Sequence, residues 1–317
     1  MVVTSITVQI VSVFYVVLVS PLVKGVLASS QAKLQGRPGP NILQPYFDLF
    51  KLLHKQPSYP KGSVLIRIAP AIAFASPIVF ATLIPVLTAF PLYLAISADM
   101  VASGFVLGVG SFVLNLAAMD AGSPYTSIGV SRSRFIATLM EPTVLLVFMA
   151  VGYVANATVP FVASKALESL NPDTMVAHTL IVLAFTLFLI AETANHPVDN
   201  ASSLHEISPI DSIRAFEYGG PPLAAIEWSS MIKFVVLLIV LDNVLIYPFG
   251  LAAHPEVISI IEAIILVTTK LCVSAFLIAI VNTSVAKIRI IRAVEYSAIS
   301  TGIALIAVLA VSLGGAR

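Results

Sequence analysis

Windows of about twenty consecutive apolar residues recur along the entire chain, and that recurrence decides more about its fold than any motif does. A bilayer core of about 30 Å is crossed by about twenty residues of helix. Eight such windows are predicted, near residues 3–27, 65–90, 99–119, 134–156, 174–194, 224–248, 256–281 and 295–313. Charged side chains make up 10% of the 317 residues, against roughly a quarter in soluble domains, too few to cover a water-facing surface. The sequence therefore predicts an all-α, polytopic membrane protein forming one membrane domain over 1–317. Soluble enzymes and nucleic-acid binders are excluded; a net charge of +1 supplies no field for nucleic acid. One cysteine, Cys272, leaves no disulfide framework and no cysteine-ligated cluster within the chain.

Basic residues set the expected orientation. Thirteen of the seventeen Lys and Arg residues fall in the stretches after windows one, three, five and seven, whereas only Lys165 and Arg317 fall on the other side. By the positive-inside rule the rich side is cytoplasmic and both termini lie outside. The first window begins without a Lys or Arg and exceeds a signal peptide's apolar region, so it reads as a retained span. Four cytoplasmic docking loops are expected, at about 28–64, 120–133, 195–222 and 282–294. Two of these, 28–64 and 195–222, are too long and too polar to be simple connectors. Within the first, residues 45–54 mix Phe47, Leu49, Phe50, Leu52 and Leu53 with Asp48 and Lys51, the pattern of a short interfacial amphipathic helix.

Ionisable side chains inside spans cost at least about 2.5–3.5 kcal/mol each on insertion scales. Here they include Glu141, Glu192, Glu227, Lys233, Asp242, Glu262 and Lys270. Any one of them reads equally well as half of a structural ion pair, but a row of acids and lysines in apolar surroundings is the chemistry of a proton relay. Glu141 precedes Pro142, which removes a backbone donor and frees a carbonyl one turn earlier, where water can bind. Past Glu192 the chain carries Asp199, Glu206, Asp211 and Glu217, five acids within 26 residues. No nucleophile–base pair, phosphate loop or pair of intramembrane histidines is present.

Four motifs occur in order. They are Gly-Arg-Pro-Gly-Pro-Asn-Ile-Leu-Gln-Pro-Tyr-Phe-Asp-Leu-Phe-Lys-Leu-Leu (36–53), Asp-Ala-Gly-Ser-Pro-Tyr with Gly-Val-Ser-Arg (120–132), Met-Glu-Pro (140–142), and Glu-x-x-x-x-Pro-Val-Asp-Asn (192–200) followed by Glu-Tyr-Gly-Gly-Pro (217–221). With them the chain resembles the formate hydrogenlyase subunit 4 and hydrogenase-4 membrane subunit family, relatives of NADH dehydrogenase subunit 1 of respiratory complex I. The resemblance implies a non-catalytic subunit in the cell (cytoplasmic) membrane that anchors an electron-transfer arm and couples redox chemistry to movement of H+ or Na+. It implies no cofactor in this chain, with iron–sulfur clusters and nickel–iron in partner subunits. The partners it implies are a nickel–iron hydrogenase large subunit or its quinone-module homologue, a small iron–sulfur subunit, and antiporter-like membrane subunits.

On this reading Glu141, Glu192, Asp199, Glu206 and Glu217 belong to the ion pathway and coupling loop. Lys233, Asp242, Glu262 and Lys270 pass charge sideways. Arg37, Asp48, Lys51, Asp120, Arg132 and Arg134 belong to partner-docking loops. The segment Asn200–His205 replaces an acid-rich run common in relatives, and Arg37-Pro38 stands where relatives often have two arginines. A quinone-chamber subunit of a complex I-like oxidoreductase is the alternative, and a stand-alone secondary transporter a more distant one.

Overall fold

The computed structural model describes residues 2–94, 98–167, 172–193, 212–246, 249–286, 288 and 292–314. Among these there are ten α-helices, and eight helical segments are long and apolar enough to cross a membrane, as the hydropathy windows predict. The helices are α1 (Val2–Leu34), α2 (Gln44–Leu53), α3 (Val64–Leu83), α4 (Met100–Asp120), α5 (Pro124–Ala155), α6 (Pro160–Ala166), α7 (Pro172–Glu192), α8 (Pro221–Ile239), α9 (Val257–Ser284) and α10 (Ala293–Gly314). A π-helical turn, Val240–Ile246, extends α8. The end of the bundle that carries the loops around 35–63 and 212–220 is called the basic end below.

Helix starts follow from local chemistry. Ser63 caps α3 by accepting the Leu65 N–H, and Asp99 caps α4 by accepting those of Val101 and Ala102. Prolines open α5, α6 and α8, where a missing N–H costs nothing. This is also why the expected docking loop at 120–133 shrinks to a turn. Gly122 takes φ +68, but Pro124 begins a helix instead of prolonging the loop, so Arg132 and Arg134 lie on α5. The loop expected from residue 28 likewise begins after Leu34. The amphipathic helix predicted near 45–54 forms as α2, burying Leu49 against Ala224 and Met231 of α8.

Two sub-bundles share the apolar core. In one, α8 is wrapped by α1 and α3, with α4 against α3 and α9 against α1. Polar ties cross it: Trp228 Nε1 donates to the Val17 carbonyl, Ser229 Oγ to Ala73, and Ser76 Oγ to Val106. In the other, α5, α7 and α10 pack together, knitted by Thr143 with Thr301, Tyr296 with the Leu187 carbonyl, and Ser300 with that of Ala184.

The second window ends earlier than its hydropathy suggests. After Leu83 the chain leaves the helix, and Ile84–Thr88 runs as buried irregular backbone. Such backbone survives at membrane depth only where protein supplies its hydrogen bonds. Here Asn243 Nδ2 donates to the carbonyls of Pro85 and Val86 at 3.1 Å each, and Ala252 N–H donates to Leu87. At the basic end, Ser58 and Gly219 exchange backbone hydrogen bonds, both 3.0 Å long. Gly220, next in the chain, has φ +67, and a Cβ there would fall 2.4 Å from the Gln56 carbonyl oxygen, so only glycine permits this crossing.

Candidate functional site: a buried ion pair and two adjoining cavities

A cavity of about 140 Å³ opens where α4, α7 and α8 meet near the basic end. Lys233 of α8 reaches across it to Glu192 at the end of α7, with Nζ to Oε1 at 2.5 Å, and also donates to Ser111 Oγ of α4 at 3.1 Å. The pair is largely enclosed, with 15% of the lysine and 21% of the glutamate side chain exposed. Each charge thus answers the desolvation of the other, and the hydroxyl takes a further ammonium donor. Lys24, Arg214 and Glu227 line the same cavity.

Arg214 is buried and donates from Nη1 to Asn115 Oδ1 at 3.2 Å, while Lys24 lies 5.6 Å from the Phe234 ring centroid. Both cations count only as orientation anchors in the sequence. The structure turns them inward instead. Ser111 and Asn115 are neutral residues in an apolar run, and nothing in their local pattern distinguishes them.

A second cavity, of about 90 Å³, continues from the first, since Ser111 and Glu192 line both. Glu141 and Arg134 of α5 line it with Gly104 and Gly108 of α4. Glu192 and Glu141, the two acids predicted for the pathway, therefore line one cavity, whose other walls are mostly apolar, among them Phe80, Leu107, Phe148 and Phe188. Arg134, assigned from the sequence to a docking loop, lines this cavity instead, with its guanidinium 5.4 Å from the Phe112 ring centroid. Arg132 is half-buried on α5 beside it.

The mouth at the basic end is closed by short-range contacts. Tyr218 is buried and its hydroxyl donates to the Ile66 carbonyl at 3.0 Å. Burial, reinforced by the nearby Tyr59, Asp120 and Glu217, pushes its phenol up to about 12. Glu217 is half-buried next to it. Asp120, a predicted docking residue, accepts the Ser63 N–H at 2.9 Å and so ties the start of α3 to the end of α4. Arg37, Asp48 and Lys51 are exposed on the loop after α1 and on α2. Asp199 and Glu206 lie outside the described residues.

A separate polar site occupies the π-helical turn. Asp242 is buried and accepts Ser274 Oγ of α9 at 2.7 and 2.9 Å. Lys270 of α9 donates to Asn243 Oδ1 at 2.8 Å and to the Phe249 carbonyl at 3.1 Å, and lies 4.8 Å from the Phe249 ring centroid. Glu262 belongs to neither site; it is exposed on the outer face of α9. No group of three His, Cys, Asp or Glu side chains positioned to hold a metal occurs among the described residues.

Comparison with known proteins agrees with this architecture. The chain is 28% identical over 277 residues to formate hydrogenlyase subunit 4 of Escherichia coli (strain K12), covering 86% of this chain and 87% of that one. It is 25% identical over 279 residues to hydrogenase-4 component C of the same organism, covering 85% and 84%. Its fold superimposes with a TM-score of 0.82 on a chain of the membrane-bound sulfane sulfur reductase, an archaeal respiratory membrane complex. That match has 19% identity and covers 97% of this chain and 99% of that one. The NADH dehydrogenase family profile matches residues 6–312, almost the whole length, and the chain, a multi-pass membrane protein, belongs to that family.

Proposed function

We propose that this chain is the membrane-anchoring, proton-translocating subunit of an energy-converting, formate hydrogenlyase-like complex. The soluble partners carry the redox chemistry: a nickel–iron large subunit and a small iron–sulfur subunit seated on the basic end. Support comes from relatives named as formate hydrogenlyase and hydrogenase-4 subunits. The observation that carries the reading is the Lys233–Glu192 pair, placed where a charge-lined cavity at the basic end meets a second, mostly apolar one that reaches Glu141.

The chemistry follows from that placement. A change of charge in the docked partner acts on the cations around the first cavity, Arg214 and Lys24, and alters the field at Lys233. When the ammonium leaves Glu192, the carboxylate becomes a proton acceptor, and Glu141 is the next acid along the second cavity. Asp199 and Glu206 are assigned to the entry of this path. Moving one charge against 100 mV costs about 2.3 kcal/mol. One pKa unit is worth about 1.4 kcal/mol, so the cycle must alter proton affinity along the path by between one and two units.

The test uses the intact complex in proteoliposomes, with Glu192→Gln and Glu141→Gln. Hydrogen turnover without change of lumenal pH is expected for both variants. Lumenal pH changes at the parental rate in either would remove that residue from the path.

A further inference from the structure

The second cavity has a side that the chain does not close. Glu141 is exposed on α5, and among the described residues neither an ion pair nor a hydrogen bond satisfies its carboxylate. Its depth matters. With the last twenty residues of α5, ending at Ala155, taken to cross the hydrocarbon, Glu141 lies roughly 7.5 Å inside it. The glutamate stem is too short to bring the carboxylate to water from there.

Arg134 does not neutralise it, because that guanidinium is laid over Phe112, two helical turns toward the basic end. Beside Glu141 the surface is apolar and uncovered. Phe105, Val109 and Phe112 stand exposed at 62%, 48% and 47% along one stripe of α4. Between that stripe and Glu141, a Cβ at Gly108 would meet nothing within 4 Å. The face is therefore grooved, and a charge lies along its floor.

We infer that the α4/α5 face is covered in the assembled complex by a transmembrane helix of another subunit, and that this helix presents a basic side chain to Glu141. Charge complementarity selects the occupant. Lipid tails would cover Phe105, Val109 and Phe112 equally well but leave the carboxylate unanswered, whereas a lysine, arginine or histidine on a packed helix supplies both an apolar cover and a counter-charge. A second copy of this chain would bring another Glu141 to the same groove. The inference rests on the reading above only in taking the neighbour to be a subunit of the same complex. It adds that the pathway's lateral wall, and the counter-charge of its deepest acid, come from that neighbour.

The experiment places a photo-crosslinking amino acid at Val109 and at Phe112 in the intact complex, irradiates native membranes, and identifies the adduct by peptide mass spectrometry. An adduct to a membrane span of another subunit that carries a Lys, Arg or His is expected. In Glu141→Leu, with the chain present at parental level in the membrane, adduct yield is expected to fall at least fivefold. Exchanging that basic residue for Glu together with Glu141→Lys is expected to restore it. Adducts to lipid only, to a second copy of this chain, or to a span without a basic residue would each overturn the inference. If Glu141→Leu does not accumulate, the identity of the parental adduct alone decides. Crosslinking does not depend on ion movement, so a failure here and a failure of the proteoliposome test are distinguishable.

Discussion

Glu192 and Asp242 are both carboxylates held against α8 or its extension, and the protein treats them differently. Glu192 meets Lys233 directly and borders two cavities, so water-sized space lies beside the pair. Asp242 accepts a serine hydroxyl, while Lys270 is engaged by the Phe249 carbonyl and by the Asn243 amide, which also holds the irregular segment after α3. The first arrangement permits exchange of a proton and a partner. The second fixes backbone at membrane depth. At these two sites the hydrogen-bond partners separate a charge pair beside open space from a charge that frames the backbone.

Substitutions can break this distinction. Lys233→Met leaves Glu192 without its cation and is expected to destabilise the purified subunit by about 3 kcal/mol, at the low end for removing one partner of a buried pair because both groups retain some exposure. Thermal unfolding measures it. Adding Glu192→Gln should recover most of that loss while lumenal pH changes stay absent; full recovery of translocation would reduce the pair to scaffolding.

Asn243→Leu removes the donors to Pro85 and Val86 together with an acceptor of Lys270. A cost of about 2–3 kcal/mol is expected from carbonyls left unsatisfied, read by the same unfolding assay and by faster hydrogen exchange at residues 86–89. No change would show that the frame does not depend on the amide. Asp242→Asn keeps an acceptor for Ser274 and should cost less than about 1 kcal/mol, with translocation near the parental rate. Abolished translocation at unchanged stability would instead move the π-turn site into the route.

The smallest effect concerns the mouth. Tyr218 has a phenol pKa raised from 10.0 to about 12, so its neutral form is favoured in the folded state. The stability it contributes is present below pH 10 and is lost as pH rises toward 12. Tyr218→Phe should cost about 1 kcal/mol near neutrality and flatten stability between pH 10 and 12, followed by tyrosinate absorbance during unfolding. An unchanged alkaline profile would place the titration elsewhere.

The sequence discloses the eight spans through long apolar runs and α2 through its amphipathic period, signals that single residues cannot disguise. Glu141, Glu192 and Lys233 are visible because charge is rare in such a chain. The irregular segment at 84–88 is hidden within an apolar run, although Pro85 marks the point at which a helix could not continue. Arg214 and Lys24 are obscured by their very sign: a basic residue near a span end satisfies the orientation rule whether it faces water or a cavity. Ser111, Asn115, Asn243 and Ser274 carry no signal of their own, since only the fold brings each to a charged or irregular partner.

The two crossings near the ends of α8 have a mechanical consequence. Gly219, just before α8, is bound to Ser58 ahead of α3, and Asn243, just past it, is bound to Pro85 and Val86 behind α3. Two rods braced at both ends resist sliding along each other, and Ser229 to Ala73 adds a strut between them. The cavities therefore have one stiff wall, made of α3 and α8. The opposite wall belongs to the α5–α7–α10 group, and Lys233–Glu192 is the clasp spanning that seam.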